Sequence, residues 1–400
     1  AQYKNDKFRT DYSNPPLDAR VKSVFGGLVY HITPWVTAAV NFSQGSDYND
    51  APQKFDGSTF PMRKSEGKDA SLRFTLFEGK LNTTLTYYQG KEENEGINTG
   101  NLGIARWPSF NTILSSNKLG DLSENGINAR GIPLVVAPGW DSRVRKNEGF
   151  EFDTVANLTK SWRLTFNFAL PKAVQEDTAP DFRNYFDANQ TALRAVLADS
   201  GILIDSSGFA TVDPSVSTAL RAPNNEHQNA ATAWNAVYQD RQSIVTGAQD
   251  LARSMKFIAN IYTDYRFTSG ALKNLKVGGG VNYRGKQVIG YRGSDTIVDP
   301  ANATRTIDDP SVGAYDTVKS DAYYNVTLNV GYLWKYSPKL TFEIDLKVDN
   351  LLDDHDPIYI GTNLRPRNGD LNTPARAAVP GLYWWRQTPR NYTLALTTKF

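Results

Sequence analysis

Along this chain, segments in which apolar and polar residues take strict turns are joined by two kinds of connection, short and long, which themselves alternate. In "WRLTFNFAL", Trp162, Leu164, Phe166, Phe168 and Leu170 fall on one face, with Arg163, Thr165, Asn167 and Ala169 on the other. "LTFEIDLKV" sets Leu340, Phe342, Ile344, Leu346 and Val348 against Thr341, Glu343, Asp345 and Lys347. "LKVGGGVNYRG" does the same from Leu275 to Tyr283. A repeat of two is that of a β-strand. Eight further segments share it, at 21–30, 36–42, 70–77, 81–88, 149–158, 257–267, 324–334 and 392–400, which makes eleven predicted strands.

The short connections are 32–35, 77–80, 158–162, 267–274 and 336–339; the long ones are 46–67, 92–142, 174–253, 292–319 and 354–389. The two kinds alternate without exception. A sandwich has no reason to gather its long loops at one end, whereas a transmembrane barrel has short turns on one side and long loops on the other. The apolar faces are aromatic and long, and the polar faces carry charges of both signs, as expected for a lipid-facing side and a polar lumen. Aromatic residues such as Tyr30, Trp35, Trp162, Tyr265, Phe267, Tyr332 and Trp334 sit beside the short turns, where a girdle would lie. The predicted class is all-β, a transmembrane antiparallel β-barrel.

Composition narrows the function. No run of 18 apolar residues exists, so no transmembrane helix is expected. Forty-four basic and 42 acidic residues leave a net charge of +2, with no basic stripe for nucleic acid. The absence of cysteine excludes disulfides, thiolate zinc sites and a cysteine nucleophile. The acidic run Asp349, Asp353, Asp354 and Asp356 lacks the Gly and terminal Glu of a calcium loop, and His31, His227 and His355 form no ligand pair. "GGG" at 278–280 reads as strand glycine beneath a crowded lumen. No nucleophile elbow is present, so neither an enzyme nor a cofactor is expected.

One long connection reads as helical. Phe182, Tyr185, Phe186, Leu193, Val196 and Leu197 recur at helical spacing, and so do residues from Ala230 through Trp234, Val237, Tyr238, Ile244 and Leu251 to Met255. A helical insertion over 178–253, in an extracellular loop at the barrel mouth, is expected.

Eleven is an odd number, and bacterial barrels close on even ones. The last strand runs toward the short-turn side, and so does 21–30. Residues 1–20 are therefore expected in an extracellular loop, with at least one strand before Ala1. The chain would be the C-terminal part of a longer barrel.

"KVDNLLDDHDPIYIG" at 347–361, followed by "PRNYTLALTTKF", resembles the C-terminal end of TonB-dependent outer-membrane receptors. Val348, Asn350, Leu351, Leu352 and Asp353 fill that family's V-x-N-L-[FL]-D element; Arg390, Tyr392, Leu394, Leu396 and Phe400 fill its closing strand. "RKNEGFEFDTVANLTKSWRLTFNFAL" and "FEGKLNTTLTYYQG" are similar to hairpins of the same family. The resemblance implies a 22-stranded barrel, of which these strands are the second half, plugged by an N-terminal domain that this sequence lacks. It implies energy-dependent uptake of a ferric siderophore, cobalamin or glycan, with the TonB complex acting through the plug. It also implies the outer membrane as location and lipid as neighbour, and makes Tyr392, Leu394, Leu396 and Phe400 a signal for the barrel-assembly machinery.

Ligand contacts are expected from loop and upper-lumen side chains that stack on rings or pair with carboxylates: Trp107, Phe110, Trp140, Tyr291, Arg292, Tyr359, Trp384, Trp385 and Arg386. Two other classes fit parts of the pattern, namely a passive porin-like or adhesin barrel and a soluble all-β binding protein.

Overall fold

The computed structural model describes residues 2–8, 17–49, 54, 58–98, 111, 113, 131–133, 135, 139–221, 225–244, 247–292, 295–313, 316–338, 340–363, 368–369, 379–380 and 384–399. Twelve strands follow one another in a single antiparallel sheet in chain order. They are β1 (Gln2–Phe8), β2 (Leu17–Thr33), β3 (Val36–Asp47), β4 (Arg63–Leu76), β5 (Leu81–Asn98), β6 (Trp140–Thr159) and β7 (Trp162–Glu176), then β8 (Ile258–Arg266), β9 (Leu275–Arg284), β10 (Tyr323–Ser337), β11 (Leu340–Asp349) and β12 (Asn391–Lys399). The pair Gln249–Asp250 adds a short strand beside the upper end of β7. Among the described residues, no helix is long and apolar enough to cross a membrane.

All eleven expected strands are present. The twelfth, β1, pairs with β2 over Gln2↔Ser23 to Phe8↔Leu17. Residues 2–8 and 17–20 are therefore strand and not loop, and the odd count behind the expected missing strand becomes even. Apolar alternation could not reveal β1, because "QYKNDKF" has only Tyr3 and Phe8 to mark a face.

Register keeps the apolar face continuous from strand to strand. Leu28 faces Val40, Val40 faces Ala70, Ala70 faces Tyr87, Tyr87 faces Phe150, and Phe150 faces Leu170. Farther on, Val277, Val330, Leu346 and Leu394 form one row. A slip of one residue in any ladder would turn a whole apolar set to the polar side. The face stays open to its surroundings: Leu28, Leu394 and Leu396 are 65%, 72% and 66% exposed, values that only a non-aqueous neighbour makes tolerable. At the short-turn end its aromatics pack together, Tyr265 on Phe267 and Trp334 on Tyr336 and Phe342. Trp162 donates its indole N–H to Thr263 Oγ1 at 2.9 Å.

The opposite face is a polar network. Asn41 donates to Asp69, Asn260 donates to Asn167, and Glu343 pairs with Lys399. The glycines of "GGG" fit the expectation for them: a Cβ on Gly280 would lie 3.0 Å from the Tyr262 ring and 2.7 Å from Ile261 O. Tyr262 thus lies over the glycine stretch and receives a hydrogen bond from Asn329 at its hydroxyl.

Between β7 and β8 the chain forms α1 (Pro180–Asp199) and α2 (Glu226–Ser243). All six residues expected to be buried on α1 are buried, and Trp234 and Val237 of α2 join them in one core. The second helical pattern does not reach Met255. It stops at Ser243 with Ile244 extended, and Gln249 and Asp250 pair with β7 instead. Gly247 interrupts the pattern there, and the ladder offers the backbone partners that a longer helix would have had to supply.

The helical connection is fastened to its neighbours. Lys54 pairs with Asp181 at 2.9 Å. Arg305, from a neighbouring long loop, pairs with Asp205 at 2.9 Å and with Asp299, and lies over the Phe209 ring. Asp141 of β6 does the work of an absent N-cap side chain, since the methyl group of Ala179 makes no hydrogen bond to α1. One Asp141 oxygen accepts from Ser142 N and Asp181 N, and the other accepts from Phe182 N at 2.9 Å.

Burial pushes the Asp141 carboxyl up to about 7, against the downward pull of the Phe182 and Ser142 amides; the Asp181 charge adds to the rise. A carboxyl raised on folding holds its proton more tightly in the native state, so its contribution to stability falls as pH rises from about 4 to about 7. Amide exchange at the start of α1 should accordingly be faster at pH 7.5 than at pH 4.5, after correction for intrinsic rates. Asp141→Asn should flatten that difference. An unchanged pH profile in the variant would assign the effect to other groups.

Candidate functional site

At the long-loop end of the polar face, β9 and β10 bring four side chains into a square. Asn282 lies opposite Asn325 and Arg284 lies opposite Tyr323. Period two puts all four on the polar side, since Tyr283 and Tyr324 between them belong to the apolar rows. The segment leading into β12 closes over this square, and Asn282, Arg284, Tyr323, Asn325, Trp385, Arg386, Gln387 and Thr388 line a cleft of about 620 Å³. That volume suits a small organic ligand.

Each wall is held by a specific bond. Trp385 meets Tyr323 edge to face, with ring centroids 5.6 Å apart. Gln387 accepts from Asn325 at 3.0 Å and donates to Tyr324 O and to Asp354. Arg284 donates through one terminal nitrogen to Asn260 at 2.9 Å and to Tyr283 O, which leaves the rest of its guanidinium without a partner among the described residues. Arg386 stacks its guanidinium over Trp384 at 4.8 Å from the ring centroid. Two cations and two aromatic rings therefore face one opening, a combination that binds flat, electron-rich and anionic groups.

The position of the closing segment is set from below by Asn350, which is 1% exposed. Its amide donates to Asp354 O at 2.8 Å and to Thr388 O at 3.0 Å, while its oxygen accepts from Asp354 N. Asn350 sits at φ 50, a left-handed position that Asn tolerates better than most residues. Asp353 adds a bond from Arg390 N at 2.9 Å.

Of the nine residues expected to contact ligand, Trp385 and Arg386 line this cleft, and Tyr359 and Trp384 lie beside it in the chain's pairing. Ile358↔Trp385 and Tyr359↔Trp384 form a two-residue ladder, and Arg386 follows it. Trp140 is elsewhere, at the start of β6 opposite Asn98. Tyr291 donates its hydroxyl to Asp250 O, which ties two segments together, and Arg292 pairs with Asp295 at 3.3 Å within its own loop. Trp107 and Phe110 lie outside the described residues, as does Phe400. Asn282, Arg284, Asn325 and Gln387 escaped the sequence reading because polar residues on a polar face carry no mark of which ones converge. Asn350 could have been found, since it stands in the motif that carried the resemblance. No group of His, Asp or Glu with metal-binding geometry occurs among the described residues.

No family model matches the sequence, and no curated protein matches it in sequence. Solved structures do match in shape. FpvA of P. aeruginosa bound to a heterologous pyoverdine superposes with a TM-score of 0.50 at 14% identity, over 97% of this chain and 34% of its own. BauA, the ferric preacinetobactin receptor from Acinetobacter baumannii, gives 0.51 at 13% identity, over 97% of this chain and 38% of its own. The ferripyoverdine receptor of the outer membrane of Pseudomonas aeruginosa gives 0.48 at 15% identity, over 96% and 34%. The chain spans about a third of the length of the structures it matches. Its fold is that of the antiparallel strand wall of outer-membrane β-barrels.

Proposed function

We propose that this chain is the ligand-bearing wall of an outer-membrane uptake receptor, with the cleft beside Trp385 as part of its ligand site. The observation that carries this reading is the convergence of Arg284, Arg386, Tyr323 and Trp385 on one opening at the long-loop end of the polar face. Two guanidiniums favour an acidic, ring-bearing cargo, so a ferric chelate suits the site better than a neutral glycan or cobalamin. In this reading the long-loop end is extracellular, and the helices form an insertion over 178–253. Energy coupling through TonB requires a plug and belongs to a longer protein, as does barrel closure with β12 as seam and assembly signal.

The test is binding of a ferric tris-catecholate and of a neutral oligosaccharide to the protein in detergent, followed by tryptophan fluorescence. Arg284→Gln and Trp385→Ala should each weaken chelate binding by about tenfold or more, the size expected at a central contact. Oligosaccharide binding that responds to these substitutions, without chelate binding, would overturn the cargo class. Binding of neither would favour a passive barrel or an adhesin.

A further inference from the structure

The apolar face ends abruptly on β4 to β7. Tyr87, Phe150 and Leu170 form its last apolar row there, with the Tyr87 and Phe150 centroids 4.8 Å apart. Two residues farther along each strand, about 7 Å toward the long loops, the same face carries Lys68, Gln89, Glu148 and Lys172 in one row. The next row is Glu66, Lys91, Lys146 and Val174. With Glu176 these residues line a groove of about 470 Å³. The strands can carry it because they outrun the lipid: β6 has 20 residues, about twice what a crossing needs.

Four lysines from four strands line this groove, and each ammonium is paired with a carboxylate. Lys172 pairs with Glu148 at 2.9 Å, Lys68 with Glu66, Lys91 with Glu93, and Lys146 with Glu176. An ammonium has three donors, and a single pairing leaves two. The cluster is local: β3 puts Phe42 and Gln44 at the same two levels. Long cationic side chains directly above an aromatic row, on the side that faces lipid, stand where headgroups lie.

We propose that this groove binds a phosphorylated lipid headgroup. Its phosphate oxygens accept from Lys68, Lys91, Lys146 and Lys172, and its acyl chains lie on the apolar rows below. The proposal rests on the reading that this face meets lipid. The full chain is inserted into vesicles of equal parts phosphatidate and phosphatidylcholine, extracted in mild detergent, and its retained lipids are identified by native mass spectrometry.

Phosphatidate should be enriched about fivefold or more over phosphatidylcholine, the size of a single lysine's attraction to an anionic surface. Replacing the four lysines by serine should abolish the enrichment, and Lys91→Glu alone should reduce it severalfold. Replacing Arg73, Arg163 and Lys276, on the opposite face of the same sheet, should leave it intact. Equal retention of the two lipids, or enrichment that survives the fourfold change, would overturn the headgroup site while leaving the lipid face standing. Retention of neither lipid would overturn both.

Discussion

Phe166→Arg should lower unfolding free energy by about 2–4 kcal/mol, whereas Thr165→Arg, one residue away, should change it by less than about 0.5 kcal/mol. Phe166 sits mid-strand on the apolar face, opposite Thr154 of β6 and Ile261 of β8, with the Phe152 and Phe168 rings about it. An arginine there must leave its charge in hydrocarbon or bend toward the headgroups. Thr165 lies on the polar face opposite Val155 and Tyr262, where a guanidinium stays hydrated. Guanidinium-chloride unfolding of both variants in lipid vesicles measures the two costs. Equal costs would mean that the faces are wrongly assigned.

Asn350→Ala should cost about 2–4 kcal/mol, and it should do so locally. The substitution strands Asp354 O, Thr388 O and Asp354 N at a position 1% exposed, and it places Ala in a left-handed conformation. The segment that holds Gln387 and Thr388 then loses its anchor, so the cleft loses a wall. Trypsin should cut at Arg386 and Arg390 faster in the variant, and chelate affinity should fall with it. Asn350→Gly separates the causes, because it removes the hydrogen bonds but not the backbone's ease at φ 50. If Asn350→Gly behaves like the unsubstituted protein, backbone strain and not hydrogen bonding sets the anchor.

Both expectations turn on how much could be read along the chain. The two faces of β7 follow from "WRLTFNFAL" alone, because a strand's side chains alternate whatever it pairs with. The buried residues of α1 follow in the same way from helical spacing. Local chemistry also marked the short turns. It failed at β1, whose seven residues lack an apolar rhythm, and at the end of α2, where pairing of Gln249 and Asp250 with β7 overrode a helical pattern. Large aromatics and arginines were easy to name as ligand contacts, but Tyr291 donates its hydroxyl to Asp250 O and Arg292 pairs with Asp295 in its own loop.

The sequence by itself determined the strand period, the division into short turns and long loops, and the apolar character of one face, because each depends on residues close in the chain. Only the tertiary structure decided register, and register decides what the two candidate sites contain. Asn282, Arg284, Tyr323, Asn325 and residues 385–388 meet in one cleft, and four lysines from β4 to β7 meet in one groove, through ladders between segments far apart in the chain. Which polar residues converge depends on backbone pairing, and no side chain announces its partner.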